Sequence, residues 1–398
     1  MKRFKLPKFN MKKISYGIGS LGIVAVLIGT SVDWSHTSMI FATGSSSVYP
    51  LMIEMSDAYD DADVTVSSGG SSNGVSKASE GLTDLGNASR SPNSKEAGTP
   101  NKPVEAWKSR KLKTVTLGWD GISIVYKATK KDDQLIINND NIDKIYTAFA
   151  GTKIISMSDL WVDGMSLDWK SSEHEPIIPF ARTGGAMVSG TAEAFLKSSR
   201  LNTDKLDPEV TSILSGTDNY GANVKEVPEA NTQAWGQFVA ASDVGSMIYL
   251  STGFVQNNYQ DIIDAGYNIA EYQGQKKFDK PTFPFDPDTK EMYVAGSKPD
   301  HSYGWYRPFN TIVSVDASQD IKDFVVWMLE YRYDTKGQPA NVQAEIMKKM
   351  GVVPLTTSQK TSMSYKNKFW VDDYNLITND PGRDKENLYG AYNMSGGN

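Results

Sequence analysis

Twice within residues 39–80 a short apolar run ends in a serine- and glycine-rich turn that opens a helical pattern, and a third such turn follows near residue 190. The turns are Gly44-Ser45-Ser46-Ser47, Gly69-Gly70-Ser71-Ser72-Asn73 and Ser189-Gly190-Thr191, with Arg182 upstream of the last. Strand, tight turn and helix in succession commit a chain to an α/β layer architecture. The expected strands are 39–42, 64–67, 84–87 and 115–125. The intervening helices are 48–59, where Leu51, Met55 and Ala58 recur at helical spacing, and 73–80. Such a βαβαβ run gives a parallel sheet whose ligands lie beyond the C-terminal ends of the strands.

The same turns carry a chemical reading. A helix N-terminus presents unpaired N–H groups and about half a positive charge, which makes it an anion site. Serine and threonine add hydroxyl donors, and glycine allows close backbone approach. Three such turns with an arginine point to a small, heavily hydrogen-bonded tetrahedral oxyanion.

Beyond residue 127 loops such as 166–179 alternate with helices expected at 140–150 and 191–198. A strand is expected at 244–250, a loop rich in Pro, Asp and Lys at 276–290, a strand at 306–315 and an apolar helix at 321–331. Phe324, Trp327, Met328 and Tyr331 share one face of that helix and read as core. The order fits one domain interrupted by another, with crossovers near residues 126 and 303.

Charge and the N-terminus speak to location. Lys2, Arg3, Lys5, Lys8, Lys12 and Lys13 precede an uncharged stretch from 14 to 32, and the first acid is Asp33. Nineteen residues in a helix come close to spanning a bilayer of about 30 Å. The basic flank places that end in the cytoplasm and the rest outside. A cleaved signal peptide is the alternative, but its apolar region would be long and no clean small-x-small site follows. Six of the 41 basic residues lie in this flank, so the rest carries 35 against 47 acidic ones, a net −12. That surface repels nucleic acid, so anion specificity must come from a local cage. With no cysteine, disulfides, thiolate chemistry and a cysteine-linked lipid are excluded.

Several short motifs compete. Gly17-Ile18-Gly19-Ser20-Leu21-Gly22 matches a dinucleotide fingerprint but lies inside the expected membrane span, with no preceding strand. Asp286-Pro287-Asp288 begins like a calcium loop yet lacks its glycine and terminal glutamate, so a surface turn is expected. Gly70-Ser71-Ser72-Asn73-Gly74 matches the nucleophile elbow of serine hydrolases, with Ser72 as nucleophile and Asp300 and His301 able to complete a triad. That reading leaves the other two turns and Arg182 unexplained.

Taken together, Thr43 to Pro50, Ser68 to Gly74, Asp84 to Arg90, Leu117 to Ile122, Arg182 with Ser189-Gly190-Thr191, Val244 to Tyr249 and Gly351 to Leu355 resemble the phosphate-binding proteins of phosphate-specific ABC importers. The resemblance covers about residues 39–357, weakly in the middle. It implies the α/β type II periplasmic-binding-protein fold, two lobes joined by two crossover strands, here preceded by an N-terminal membrane helix. The tail and anchor would be 1–38. Lobe one would comprise 39–126 and 304–398, and lobe two 127–303. It further implies a non-enzymatic receptor without cofactor that hands phosphate to a membrane permease and its ATPase subunits. Ser46, Ser47 and the N–H groups of Val48 and Tyr49 would hold the anion from the first turn, Ser71 and Ser72 from the second. Arg182, Ser189, Gly190 and Thr191 would close from the other lobe.

Two departures from the family pattern shape further expectations. Ser89-Arg90 stands where many members carry an aspartate that accepts the phosphate proton. Arg90 cannot accept a hydrogen bond. It is expected to act as a second cation, to pair with Asp120, or to form a salt bridge at the lobe surface. Asp120 in turn either accepts the ligand's proton, holds Arg90, or caps a turn at Gly121. Loss of the aspartate also keeps open a receptor for sulfate or molybdate. The gap from Arg182 to Ser189 is longer than usual, so the loop bulges or the arginine is displaced. Removing Arg182 is expected to weaken anion binding with the fold intact.

Overall fold

The computed structural model describes residues 38–90, 92, 109–130, 133–171, 175–274, 280–289, 303–335 and 337–355. The expected membrane segment at 14–32, the glycine fingerprint at 17–22, His301 and the other two histidines lie outside the described residues. Among the described residues no helix is long and apolar enough to cross a membrane.

The first half begins as the pattern requires: β1 (Met39–Gly44), α1 (Tyr49–Ala58), β2 (Asp63–Ser68), α2 (Ser71–Glu80) and β3 (Leu85–Ala88). β1 pairs in parallel with β2 from Met39↔Asp63 to Gly44↔Ser68, and with β3 from Ala42↔Leu85. Pro50 starts α1 with its φ preset for the helix, and Leu51, Met52 and Met55 bury its inner face. Gly44 ends β1 at φ 140°, and a Cβ there would overlap the Asn87 carbonyl, so only glycine lets the first turn pack against β3.

Then come β4 (Leu112–Tyr126), β5 (Ile136–Ile137), α3 (Ile142–Ala150), α4 (Leu167–Ser171), β6 (Ile178–Arg182), α5 (Gly185–Val188), α6 (Gly190–Lys197), α7 (Pro208–Ser215), β7 (Lys225–Val227) and α8 (Asn231–Ala241). The described chain continues with β8 (Ser246–Ser251), α9 (Thr252–Asn257), α10 (Tyr259–Asp264), β9 (Asn268–Ile269), β10 (Glu271–Tyr272), β11 (Tyr306–Ser314), α11 (Gln319–Leu329) and α12 (Val342–Lys349). The main sheet runs β2-β1-β3-β11-β4-β8-β6-β7, with β9 on β4.

β4 does not extend the parallel set: β11 inserts between β3 and β4 and is antiparallel to both. β4 is buried along all fifteen residues. It pairs with β11 from Leu112 to Gly121 and with β8 from Ile122 to Tyr126. One strand therefore serves both halves of the sheet, and residues 120–122 mark the changeover. Asp120 and Gly121 lie inside this strand, so Asp120 does not cap a turn.

The core reading of the 321–331 face holds, although α11 stops at Leu329. Phe324 and Met328 are buried, and Tyr59 packs on Phe324 and Trp327 with ring centroids 4.9 and 5.1 Å apart. Tyr331 lies past the helix, donating to Leu117 O and accepting from Leu355 N at 2.8 Å. Asp286 forms the expected turn, its Oδ1 accepting the N–H groups of Asp288 and Thr289 at 2.9 Å each.

Candidate functional site

The three serine- and glycine-rich turns meet. In the first, Ser45 Oγ accepts from Ser47 N at 3.2 Å and Val48 N at 3.4 Å, then donates to Ser89 Oγ at 3.0 Å. Tyr49 N donates to Ser45 O at 2.9 Å. The first amides of α1, expected to face a ligand, thus have partners inside the turn. Ser46 and Ser47 point elsewhere, Ser46 Oγ donating to Glu229 Oε1 at 2.8 Å and Ser47 Oγ lying 2.9 Å from Thr191 Oγ1.

The second turn joins the first through Ser89, at the end of β3. Ser71 Oγ accepts from Ser89 N at 3.1 Å and lies 3.2 Å from Ser89 Oγ. Ser72 Oγ donates to Met187 O at 3.3 Å and accepts from Arg90 Nη2 at 2.9 Å.

The third turn arrives from the other half of the sheet. Ser189 caps α6, its side chain accepting from Ala192 N at 2.9 Å. A Cβ on Gly190 would overlap Ser89 Oγ and lie 2.6 Å from Ser71 Oγ, so its lack of a side chain sets how closely α6 approaches the second turn. Thr191 Oγ1 donates to Glu229 Oε1 at 3.2 Å. Because that hydroxyl donates to a carboxylate, the Ser47 hydroxyl must donate to Thr191, and the chain of donors runs one way.

Three buried arginines surround the junction. Arg182, the last residue of β6, is fully buried and donates from Nη1 to Pro228 O at 2.6 Å and from Nη2 to Asn231 Oδ1 at 2.7 Å. Its Nε has no hydrogen-bond partner among the described residues. Burial pulls its pKa down from the ordinary arginine value, and Glu229 opposes that shift. The long gap to Ser189 is filled by the one-turn helix α5, so the extra residues bulge while Arg182 stays anchored at its strand end.

Arg90 does not pair with Asp120. It forms an ion pair with Glu193 of α6, and Glu193 also meets Lys197 at 3.1 Å. That contact is buried between the turns rather than at a surface, with Arg90 8% exposed. Asp120 instead takes Arg307 of β11, whose Nε and Nη2 donate to Oδ2 at 3.0 and 2.9 Å, both side chains being 1% exposed. Asp120 Oδ1 accepts from Ser251 Oγ at 2.8 Å and Gly253 N at 3.4 Å. Burial pushes the Asp120 carboxyl up from its ordinary value, and Arg307 pulls it back. Arg307 Nη1 also reaches Ser89 Oγ at 3.3 Å, linking the buried pair to the turns.

Of the residues singled out from sequence, Ser46, Ser47, Ser71, Ser72, Ser89, Arg90, Ser189, Gly190 and Thr191 come together in this one network. Arg182 flanks it beside Glu229, and Asp120 lies behind it, reached through Arg307. Sequence reasoning missed Arg307, Glu229 and Glu193. Arg307 had a signal: it is the lone charge in an apolar run expected to be a strand. Glu229 had none, since an acid just before a helix is commonplace.

Comparison with known proteins agrees with the architecture. A family model described as a PBP superfamily domain matches residues 31–329, and the chain belongs to that superfamily. It is 34% identical over 367 residues to "Uncharacterized lipoprotein MG412" of Mycoplasma genitalium, covering 85% of this chain and 91% of that protein. Among solved structures, a human phosphate binding apolipoprotein matches at 15% identity over 81% of this chain and 93% of its own, with a TM-score of 0.54. A phosphate binding protein from Stenotrophomonas maltophilia matches at 14% identity over 84% and 95%, with a TM-score of 0.52. At such identities the likeness is one of fold.

Proposed function

We propose that this chain is an extracytoplasmic substrate-binding protein that captures inorganic phosphate and delivers it to an ABC permease driven by ATPase subunits. One observation carries the reading: three turns rich in hydroxyl and amide donors converge beside the fully buried Arg182, whose Nε–H has no partner among the described residues. Hydroxyl groups beside a desolvated arginine with an unengaged N–H suit a small anion better than they suit a catalytic centre. The names of the structural relatives, both phosphate-binding, point the same way. In this reading 39–126 with 304–398 forms one lobe, 127–303 the other, and β4 and β11 form the hinge about which they close.

The same reading tethers the chain outside the cell membrane through a helix at 14–32. The Mycoplasma genitalium relative is named a lipoprotein, but this sequence has no cysteine to carry a lipid. A membrane helix would supply the tether instead. A hydrolase is disfavoured because Ser72 Oγ is engaged by Met187 O and Arg90.

Calorimetry on the purified chain should show about one phosphate site per chain, independent of divalent metal, with no ester hydrolysis. Absence of phosphate binding, with ester turnover abolished by Ser72→Ala, would replace this reading with the hydrolase. Gly190→Ala should weaken phosphate binding by at least about tenfold, because the new methyl holds α6 away from Ser71 and Ser89. Unchanged affinity would show that the close approach of α6 has no part in binding.

A further inference from the structure

Side-chain contacts join the turns of the first half of the sheet directly to the second half. Ser46 reaches Glu229, Ser47 reaches Thr191, Ser72 reaches Met187 O, and Arg90 pairs with Glu193. The first three are made by hydroxyls, which water replaces at little cost when the halves part. The fourth sets two full and opposite charges against each other, on side chains 9% and 12% exposed.

Each partner of that pair is held on its own half before the two meet. On the first half Arg90 follows β3. Its Nη2 donates to Ser72 Oγ of α2 at 2.9 Å, and its carbonyl accepts from Asn310 Nδ2 of β11 at 2.9 Å. On the second half Glu193 lies in the first turn of α6, where the helix N-terminus favours a negative charge. Lys197, one turn on, meets it at 3.1 Å. α6 itself packs on β6 and β8. An ion pair between flexible surface side chains gains little, because ordering them costs what the attraction returns. Here the ordering is done by neighbours on each half, so little of it is charged to the contact between them. Ser72 and Lys197 also remain as second partners, which offsets part of the desolvation of the two charges.

We infer that Arg90 and Glu193 form a latch that holds the two halves closed over the three turns, so that the chain itself sets the balance between its open and closed forms. The latch rests on the reading of two lobes that close about β4 and β11, and not on the identity of the anion. A ligand that binds the closed form alone has its apparent affinity scaled by the fraction closed. Breaking the pair therefore weakens binding of whatever the turns hold.

Pulsed electron paramagnetic resonance on the full chain tests the latch. The sequence has no cysteine, so Glu80→Cys on α2 and Gln237→Cys on α8, both exposed, accept spin labels at those two positions alone. In phosphate-free buffer the labelled parent should show mainly the short distance of the closed form. Glu193→Gln and Arg90→Gln should each raise the ratio of long to short distance by at least about fivefold, within the range found for side chains in contact. The double variant should be no more open than either single one, because the pair is already broken. One distance shared by parent and variants overturns the latch. So does a mainly open parent, or a double variant whose opening is the product of the two single effects. Glu193→Gln, isosteric with the parent, decides alone if the Arg90 variant does not fold. The measurement uses no phosphate, so a failure of phosphate binding in calorimetry removes the proposed ligand and leaves the latch to be judged by these distances.

Discussion

Replacing Arg307 with methionine should lower the unfolding free energy by about 3–5 kcal/mol, the cost of stranding one member of a buried ion pair. Asp120 would keep Ser251 Oγ and Gly253 N but lose both guanidinium bonds at a position 1% exposed to solvent. Its carboxyl, already pushed up by burial, would rise further. A folded-state pKa above the unfolded value gives stability that is present below the unfolded pKa and lost as pH rises through the folded one. The deficit of the variant should therefore grow as pH climbs from about 4 toward neutrality. Urea denaturation at several pH values measures this, and a loss below about 1 kcal/mol at neutral pH would show that the pair contributes nothing net. The double variant Arg307→Met with Asp120→Leu should recover much of the loss, because two apolar side chains need no partners.

Arg182→Ala should weaken phosphate binding by well over tenfold, within the roughly 2–5 kcal/mol range for truncating one side of a desolvated charge contact. The structure adds a second effect that the sequence does not suggest. Arg182 is fully buried and holds Pro228 O, Asn231 Oδ1 and, at 3.4 Å, Tyr249 O. Truncation strands those acceptors and opens a cavity under the Tyr249 ring, whose centroid lies 5.9 Å from the guanidinium carbon. A stability loss of about 2–4 kcal/mol accompanies the binding defect, so the fold is not left untouched. Titration well below the melting temperature separates the two effects. Arg182→Lys keeps the charge but not the fork, and should retain part of the binding while losing most of the contacts to Pro228 and Asn231. Full phosphate affinity in Arg182→Ala would remove this arginine from the binding account.

The contrast between Arg182 and Arg307 shows which physical information a sequence carries. Arg182 is conspicuous because it lies just ahead of a Ser-Gly-Thr turn, all within ten residues. Arg307 acts on Asp120 and Ser89, 187 and 218 residues away, and nothing in its own neighbourhood names them. The same holds for Glu229, which meets Ser46 across 183 residues. Arg90 misleads for the same reason. Chain position suggests Asp120 as its partner, yet the packing of α6 against the second turn delivers Glu193.

Alternation of strand and helix, the apolar face of α11 and the three serine- and glycine-rich turns were determined by the sequence alone, because side-chain periodicity and turn chemistry act over a few residues. The helix starts at 49 and 190 follow from the same local rules. Tertiary structure alone decided that β11 enters between β3 and β4, that one fifteen-residue strand feeds both halves of the sheet, and that Asp120, Arg307 and Glu229 gather around the turns. Those contacts join segments separated by some two hundred residues. Their free energy comes from burying charge and hydroxyl groups against partners that become neighbours only once the chain has closed on itself.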